Sequence, residues 1–241
     1  MTISIVLPCY NERENIADAV SDVASWFHSR SLQGEIIVVD DGSKDGSLGV
    51  LEALRQKYPL LKIVHHEKNQ GYGLAVRSGC DAATTEWIAF MDSDGQFHAD
   101  DLDRLIALTK EYPFVTGRRR RRADSLLRNT FGKVLGSMNV LVLGLWVRDV
   151  NCGMKIFRCD IWKDIRPTYG VEKLFNTEMF LRLKYRHIPW TQVDVPHYPR
   201  LHGAQTGGSV RVIIRMFKEL WNLRQSLGSL RADPVIASRA A

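Results

Sequence analysis

Asp92 and Asp94 stand two residues apart behind the apolar run Trp87 to Met91, and in extended chain residues at that spacing project to the same side. Two carboxylates presented together suit a hard cation such as Mg²⁺ or Mn²⁺, whose remaining coordination positions are ordinarily filled by phosphate oxygens and water. Gln96 offers a carbonyl oxygen at the same end. A diphosphate is therefore expected beside Asp92, Asp94 and Gln96. The competing account is an acidic turn, shaped by Asp94-Gly95, that holds no metal. Asp40 and Asp41 close a second apolar run, Glu35 to Val39. A carboxylate there can accept hydrogen bonds from ribose hydroxyls or base N–H groups, or belong to a solvated turn. A third polar cluster, Pro8-Cys9-Tyr10-Asn11-Glu12, follows the run Ile3 to Leu7.

The elements that must position these clusters alternate. Strand-like runs at Ile3–Leu7, Glu35–Val39, Leu60–His65, Trp87–Met91 and Phe114–Gly117 are interleaved with helical spacing over Asn15–Trp26, Ser47–Tyr58, Gly73–Ala83 and Asp100–Glu111. That order predicts an α/β fold with a mostly parallel central sheet and helices on both faces, in which ligands bind beyond the carboxyl ends of the strands. The three clusters all follow strands, so they should converge. Gly71, Gly73 and Gly79 do not make a dinucleotide fingerprint, because Val76 stands where its third glycine belongs. A tight turn into a helix accounts for them, and nicotinamide chemistry is disfavoured. After Gly117 come five arginines, Arg118 to Arg122, then a helical stretch Leu126–Trp146, a loop into a strand over Asp149–Phe157, a helix Asn176–Arg186, a strand Trp190–Val195 and a basic amphipathic helix Val210–Leu227.

A chain of 241 residues can bury a full core and is expected to form one domain, since domains commonly run to roughly 100–200 residues. That domain divides into a nucleotide-binding half (1–117), an acceptor half (118–208) and the basic helix (209–227), with a disordered tail over 228–241. Hydrophobic residues at 45% and charged residues at 25% exclude wholesale disorder and an integral membrane bundle. The net charge of +6 favours anionic partners: phosphates, anionic lipid or nucleic acid. The arginine run lacks interleaved aromatics, which argues against nucleic acid. Cys9, Cys80, Cys152 and Cys159 are irregularly spaced and suggest neither zinc nor a disulfide framework, hence a reducing cytosol. The opening Met-Thr-Ile-Ser-Ile runs straight into a strand and predicts no leader. Val134–Val147, the longest apolar stretch, falls short of the ~20 residues that span a bilayer.

Leu-Pro-Cys-Tyr-Asn-Glu at 7–12, Val-Val-Asp-Asp-Gly-Ser at 38–43 and Asp-Ser-Asp at 92–94, in that order and spacing, resemble the inverting family 2 glycosyltransferases. Asp149-Val-Asn-Cys-Gly-Met-Lys-Ile-Phe157, Asn176-Thr-Glu-Met-Phe and Val195-Pro-His-Tyr-Pro-Arg200 resemble the branch that glycosylates dolichyl and polyprenyl phosphates. The resemblance implies a glycosyltransferase A-type fold. Pro8, Tyr10, Glu12, Asp40, Asp41, Asp92 and Ser93 would hold the nucleotide of a sugar donor, and Asp92, Asp94 and Gln96 would hold Mg²⁺ or Mn²⁺. Asp94 and Arg118 would act in catalysis, with Arg118 near the donor phosphates and the acceptor. Arg128, Arg200 and His202 would hold the acceptor phosphate, although each could instead be a solvated surface charge.

One departure from the resemblance bears on the acceptor. Many polymerising members carry Glu-Asp on the acceptor-side helix, whereas this chain reads Thr177-Glu178-Met179, without that aspartate. A hydroxyl acceptor would lack its base, but a phosphate monoester is already anionic at neutral pH and attacks without one. The expectation is inverting transfer of mannose or glucose to a polyprenyl phosphate. A transferase acting on a sugar hydroxyl and a silent sugar-nucleotide-binding protein are the alternatives. For the lipid, Leu135–Val147 and the apolar face of Val210, Ile213, Ile214, Phe217, Leu220 and Trp221, flanked by Arg211, Arg215, Lys218 and Arg224, suggest peripheral attachment at the cytoplasmic face of a membrane. The same helices could pack on the core or on a second copy in a homo-oligomer.

Overall fold

The computed structural model describes residues 1–120, 140–170, 172, 174–200, 202–203 and 210–232. Arg121, Arg122, Arg128 and most of the Leu126–Trp146 stretch lie outside them, as do the side chains of 210–217 on the basic helix. Strands β1 (Thr2–Cys9), β2 (Gln33–Asp40), β3 (Leu61–His65), β4 (Trp87–Phe90), β5 (Phe114–Arg119), β6 (Lys155–Arg158) and β7 (Trp190–Val195) form one sheet in the order β3-β2-β1-β4-β6-β5-β7. Between them run α1 (Ile16–Ser29), α2 (Ser47–Lys57), α3 (Tyr72–Ala82), α4 (Leu102–Ile106), α5 (Trp162–Ile165) and α6 (Phe175–Tyr185), followed by α7 (Val210–Gln225) and α8 (Leu227–Ala232).

The unbroken apolar runs of β1 and β2 are explained by cover on both faces. Ile5, Leu7, Ile36 and Val38 turn to one side, under Ile16, Val20, Val23 and Phe27 of α1. Val6, Ile37 and Val39 turn to the other, under Ala75, Val76 and Cys80 of α3. Alternation of side chains along a strand makes each run serve two cores at once. Helix α3 reaches the sheet closely because Gly79 faces it. A Cβ there would lie 2.3 Å from Val6 Cγ1 and 3.0 Å from Val39 Cγ2.

Only β6 runs against the rest, pairing antiparallel with β4 and β5, while β1–β2, β1–β4, β2–β3 and β5–β7 are parallel. It sits between β4 and β5, so the sheet is continuous across residue 117 and each of the two cores draws residues from both expected halves. The helix expected over Asp100–Glu111 is shorter: a 3-10 turn at Ala99–Asp101, α4 to Ile106, then turns. The helix expected to reach Trp146 ends at 143. Gly144, at φ 63, donates its N–H to Val140 O at 3.0 Å, an αL cap that stops the helix. Of the tail expected over 228–241, residues to Ala232 are helical, with Leu227 and Leu230 of α8 buried beside α7 residues Leu220 and Leu223, and the remainder lies outside the described residues. No helix among the described residues is long and apolar enough to cross a membrane.

Two consequences can be measured. Gly79→Ala gains helix propensity yet forces a methyl against two fully buried, β-branched valines. It should lower stability by about 1–3 kcal/mol in urea denaturation. Lys155 is wholly buried on β6, with its ammonium over the Phe90 ring at 5.1 Å. Burial lowers its pKa from 10.5 to about 8. Between those values the unfolded chain holds the extra proton, so this residue's contribution to stability rises with pH. Wild type should gain about 3 kcal/mol relative to Lys155→Met between pH 8 and pH 10.5, read from paired denaturation curves.

Candidate active site

Because every strand except β6 points the same way, the loops after β1, β2, β4, β5 and β7 and the loop before β6 meet at one edge. Register brings Cys9 opposite Asp40 and Val6 opposite Phe90. The loops are stitched together just beyond the ladder. Asp41 N–H donates to Cys9 O at 2.8 Å, Met91 N–H to Val6 O at 3.0 Å and Ser93 Oγ to Pro8 O at 2.6 Å. The three polar clusters do converge.

The loops after β1 and β2 are zipped to each other. Asn11, in the left-handed region at φ 54, accepts Lys44 N–H at its Oδ1 and donates its own N–H to Ser43 Oγ. Glu12 N–H donates to Ser47 Oγ at 3.1 Å. This leaves the Tyr10 ring exposed at the rim. Asp40 is fully buried and accepts Ser43 N–H at 3.3 Å, with His65 Nδ1 2.8 Å from its other oxygen. Asp41, also expected at the nucleotide, is 2% exposed. Its Oδ1 accepts Gln70 N–H and meets His66 Nδ1, and its Oδ2 accepts Gly71 N–H, all at 2.7–2.8 Å. It anchors the loop into α3.

Behind β4, Asp92 Oδ1 accepts the Tyr72 hydroxyl at 2.8 Å, and Asp94 Oδ1 accepts Gln96 N–H at 3.1 Å. Gln96 is buried, and its side chain and carbonyl pair with the backbone of Tyr198. The segment after β7 thereby folds over the edge and delivers Arg200. That guanidinium bridges Glu12 Oε1 and Asp94 Oδ2, and its Nε donates to His202 O. Burial raises the Glu12 carboxyl above its ordinary range, although Asn15 and Arg200 pull the other way. Arg200, expected on the acceptor phosphate, thus stands between the nucleotide-side and metal-side carboxylates. The His202 side chain is exposed, and its carbonyl also accepts from Asn15.

The arginines at the end of β5 face opposite ways. Arg118 Nε donates to Asp194 Oδ1 at 2.6 Å, half-exposed. Arg119 is the buried one, held bidentate by Asp149 at 2.7 and 2.8 Å. Burial lowers the Arg119 pKa, but hydrogen bonds and charge from Asp149 outweigh it and push the pKa up, with Asp92 contributing to the same field. Arg119 is thus the arginine fixed in the interior beside Asp149, whereas Arg118, the residue read from the sequence, pairs with Asp194 of β7. Both line an open cavity of about 370 Å³ with Arg120, Arg148, Asp149 and Asp194. A larger cavity of about 430 Å³ among Lys163, Arg166, Tyr169, Arg182 and Ser229 follows the far end of β6, away from this chemistry.

Asp92, Asp94 and Gln96 offer only oxygen donors, which fits Mg²⁺ or Mn²⁺. Gly153 leaves the Asp92 carboxylate its room, since a Cβ there would fall 2.0 Å from Oδ2. Among the described residues no three His, Cys, Asp or Glu side chains form a complete cage. A cation here would complete its shell from a ligand, as such ions do beside phosphates. Tyr72, Asp149, Gly153 and Arg119 were not assigned from sequence. The arginine run signalled Arg119 only up to a one-residue shift, and Tyr72 reads as part of a glycine turn.

Residues 4–166 match the profile of glycosyl transferase family 2. A dolichyl-phosphate beta-glucosyltransferase of Trichomonas vaginalis is 27% identical over 210 residues, 80% of this chain and 62% of that protein. This chain therefore spans less than two thirds of that relative's length. A dodecaprenyl-phosphate galacturonate synthase of Rhizobium johnstonii is 27% identical over 231 residues, covering 93% of this chain and 68% of the other. Among solved structures, mannosyl-3-phosphoglycerate synthase from Rubrobacter xylanophilus superposes with TM-score 0.66 at 16% identity, covering 94% and 73% of the two chains. Glucosyl-3-phosphoglycerate synthase from Mycobacterium tuberculosis, in complex with Mn²⁺, uridine diphosphate and phosphoglyceric acid, gives 0.65 at 22%, covering 91% and 78%. The fold is the glycosyltransferase A type, and with the family profile running through the strand-end clusters from β1 to α5, the chain belongs to glycosyl transferase family 2.

Proposed function

We propose that this protein transfers a hexosyl group, mannose or glucose, with inversion from a nucleotide-diphosphate sugar to a polyprenyl or dolichyl phosphate. The observation that carries the reading is the state of Glu178. It is fully buried, accepting N–H groups of Thr168, Tyr169 and Gly170 and pairing with Arg182 Nε at 2.8 Å. A carboxylate so engaged is a structural brace and cannot take a proton from a hydroxyl acceptor. A phosphate monoester needs no such base. The arginine-lined cavity beside Asp149 suits that anion, because guanidinium groups match phosphate geometry. Relatives whose names specify dolichyl-phosphate and dodecaprenyl-phosphate support the same acceptor class.

In this reading Tyr10, Pro8, Glu12 and Asp40 receive the nucleotide. Mg²⁺ or Mn²⁺ held by Asp92, Asp94 and Gln96 would neutralise charge on the diphosphate. Arg119 lies on the diphosphate side, where a fixed cation stabilises the departing group without reorganising. Arg118, Arg120 and Arg148 line the acceptor side, with Arg128 and Arg200 as further phosphate contacts. An acceptor phosphate oxygen forms its bond to the anomeric carbon as the bond to the diphosphate oxygen breaks, and the configuration inverts.

The lipid tail calls for a bilayer. Leu141 is 84% exposed, Trp146 69% and Trp221 64%. Arg148 lies 5.7 Å from the Trp146 ring, and Lys218 and Arg224 are exposed beside Trp221. Apolar and aromatic groups edged by cations suit an anionic membrane surface, which supports peripheral attachment on the cytoplasmic face.

Labelled sugar from a panel of nucleotide sugars should pass into the organic phase with polyprenyl phosphate and Mn²⁺ or Mg²⁺. Asp94→Ala should lower transfer at least about 100-fold. Label confined to water-soluble glycan would refute the lipid acceptor. Arg119→Lys, which keeps the charge but loses the bidentate fork, should cut kcat by about 10-fold or more, whereas Arg118→Lys should change it less. Equal effects would refute the assignment of Arg119 to the donor side. In flotation with anionic liposomes the unaltered protein should rise with the vesicles, and Trp146→Ala with Trp221→Ala should leave it at the bottom.

A further inference from the structure

Asp92 stands just past the last ladder contact of β4, the Met91 N–H to Val6 O bond, so the sheet does not fix where its carboxylate points. What borders it is specific. The Tyr72 hydroxyl donates to Oδ1 at 2.8 Å, and the backbone of Gly153 lies so close to Oδ2 that a Cβ would come within 2.0 Å. A phenol on one oxygen and bare backbone against the other restrict the orientations open to the group.

Tyr72 is in turn fixed from a distant part of the chain. It is the first residue of α3, and the loop that leads into it, residues 66–71, lies beyond the end of β3. Asp41 gathers that loop through Gln70 N–H, Gly71 N–H and His66 Nδ1. The far nitrogen of the same imidazole, His66 Nε2, lies 2.9 Å from Ser78 Oγ, two turns into α3. Asp41 is 2% exposed and His66 8% exposed, so this is a buried polar network with its groups satisfied, the kind that holds one geometry. The path runs from the end of β2 through Asp41 to the start of α3, and from Tyr72 to Asp92.

We propose that Tyr72 is a positioning residue for Asp92, with Asp41 the anchor of the loop that carries it, so that affinity for the metal–diphosphate pair depends on a hydroxyl that touches neither. This rests on reading Asp92 and Asp94 as the metal and diphosphate carboxylates. The hydrogen bond is charge-assisted and occupies one lone pair of Oδ1. Removing such an outer partner from a ligating carboxylate ordinarily costs about 10–100-fold in metal affinity. Asp41, assigned to the nucleotide on sequence grounds, acts through the backbone of Gln70 and Gly71.

The test uses Tyr72→Phe, which deletes the hydroxyl and keeps the ring. Mn²⁺ binding is followed by electron paramagnetic resonance in the presence of uridine or guanosine diphosphate, with no acceptor present. Alongside it, the Mn²⁺ concentration for half-maximal transfer and kcat at saturating Mn²⁺ are compared with the unaltered chain. The expected result is an about 10-fold or greater loss of Mn²⁺ affinity and a matching rise in half-activating Mn²⁺, with kcat at saturation retained within about 3-fold and an unchanged thermal midpoint. Asp41→Asn should move the same two constants in the same direction, and the thermal midpoint should fall as well. Equal Mn²⁺ affinity in Tyr72→Phe and the unaltered chain would overturn the positioning role while leaving the site reading intact. No Mn²⁺–nucleotide binding by the unaltered chain would overturn the site reading, and this proposal with it.

Discussion

Glu12, Asp40, Asp41, Asp92 and Asp94 crowd one edge of the sheet, and their mutual repulsion is the constraint that the surrounding structure answers. Two unit charges 4 Å apart interact by about 4 kcal/mol at an effective dielectric near 20. Ionised carboxylates gathered there without compensation would protonate or push the loops apart. Each has its own partners. Asp40 takes Ser43 N–H and His65, and Asp41 takes two backbone N–H groups and His66. Asp92 takes the Tyr72 hydroxyl, and Glu12 and Asp94 share Arg200. The compensation comes from loops after β1, β2, β3 and β7, which explains why a sheet built for packing also fixes the loop conformations at its edge.

The reversed strand β6 does for the other side of the edge what the parallel strands do for the first. Entering the sheet backwards between β4 and β5, it brings the loop that precedes it, Asp149 to Gly153, to the same edge as Asp92. Asp149 orients Arg119, and Gly153 gives the Asp92 carboxylate its space. Lys155, the first residue of β6, donates to Cys152 O from the core and so ties that loop to the strand beneath it. A buried ammonium is costly, and its lowered pKa expresses that cost. The loop it holds sets the back wall of the candidate metal site.

The sheet, the convergence of the three clusters and the carboxylate pair are legible in the sequence because they are carried by local periodicity: apolar runs of strand length, each ended by polar residues. Side-chain direction at the end of β5 is not. Arg118 and Arg119 are chemically identical and one residue apart, and on a strand one residue decides which face a side chain takes. Only the pairing of Arg119 with β7 through Val195, and its contact with Asp149, separates them. The Arg200 bridge joins Glu12 to a residue 188 positions away, and no local pattern encodes such a contact. The contacts of Asp41 are illegible for a related reason. An acidic pair after a strand suggests a ligand, whereas the partners of Asp41 seen here, Gln70, Gly71 and His66, belong to a loop whose path no periodicity describes.

Arg200 ties the edge together from the far side of the sheet. Its guanidinium meets Glu12 and Asp94, and the segment that carries it is attached by the Tyr198–Gln96 backbone contacts, by Asn15 on His202 O and by the edge-on rings of Phe97 with His197 and of His98 with Tyr198. One cation between a carboxylate of the loop after β1 and a carboxylate of the loop after β4 lowers the repulsion between them. Because that cation comes from the segment after β7, it fixes three loops to one another at once.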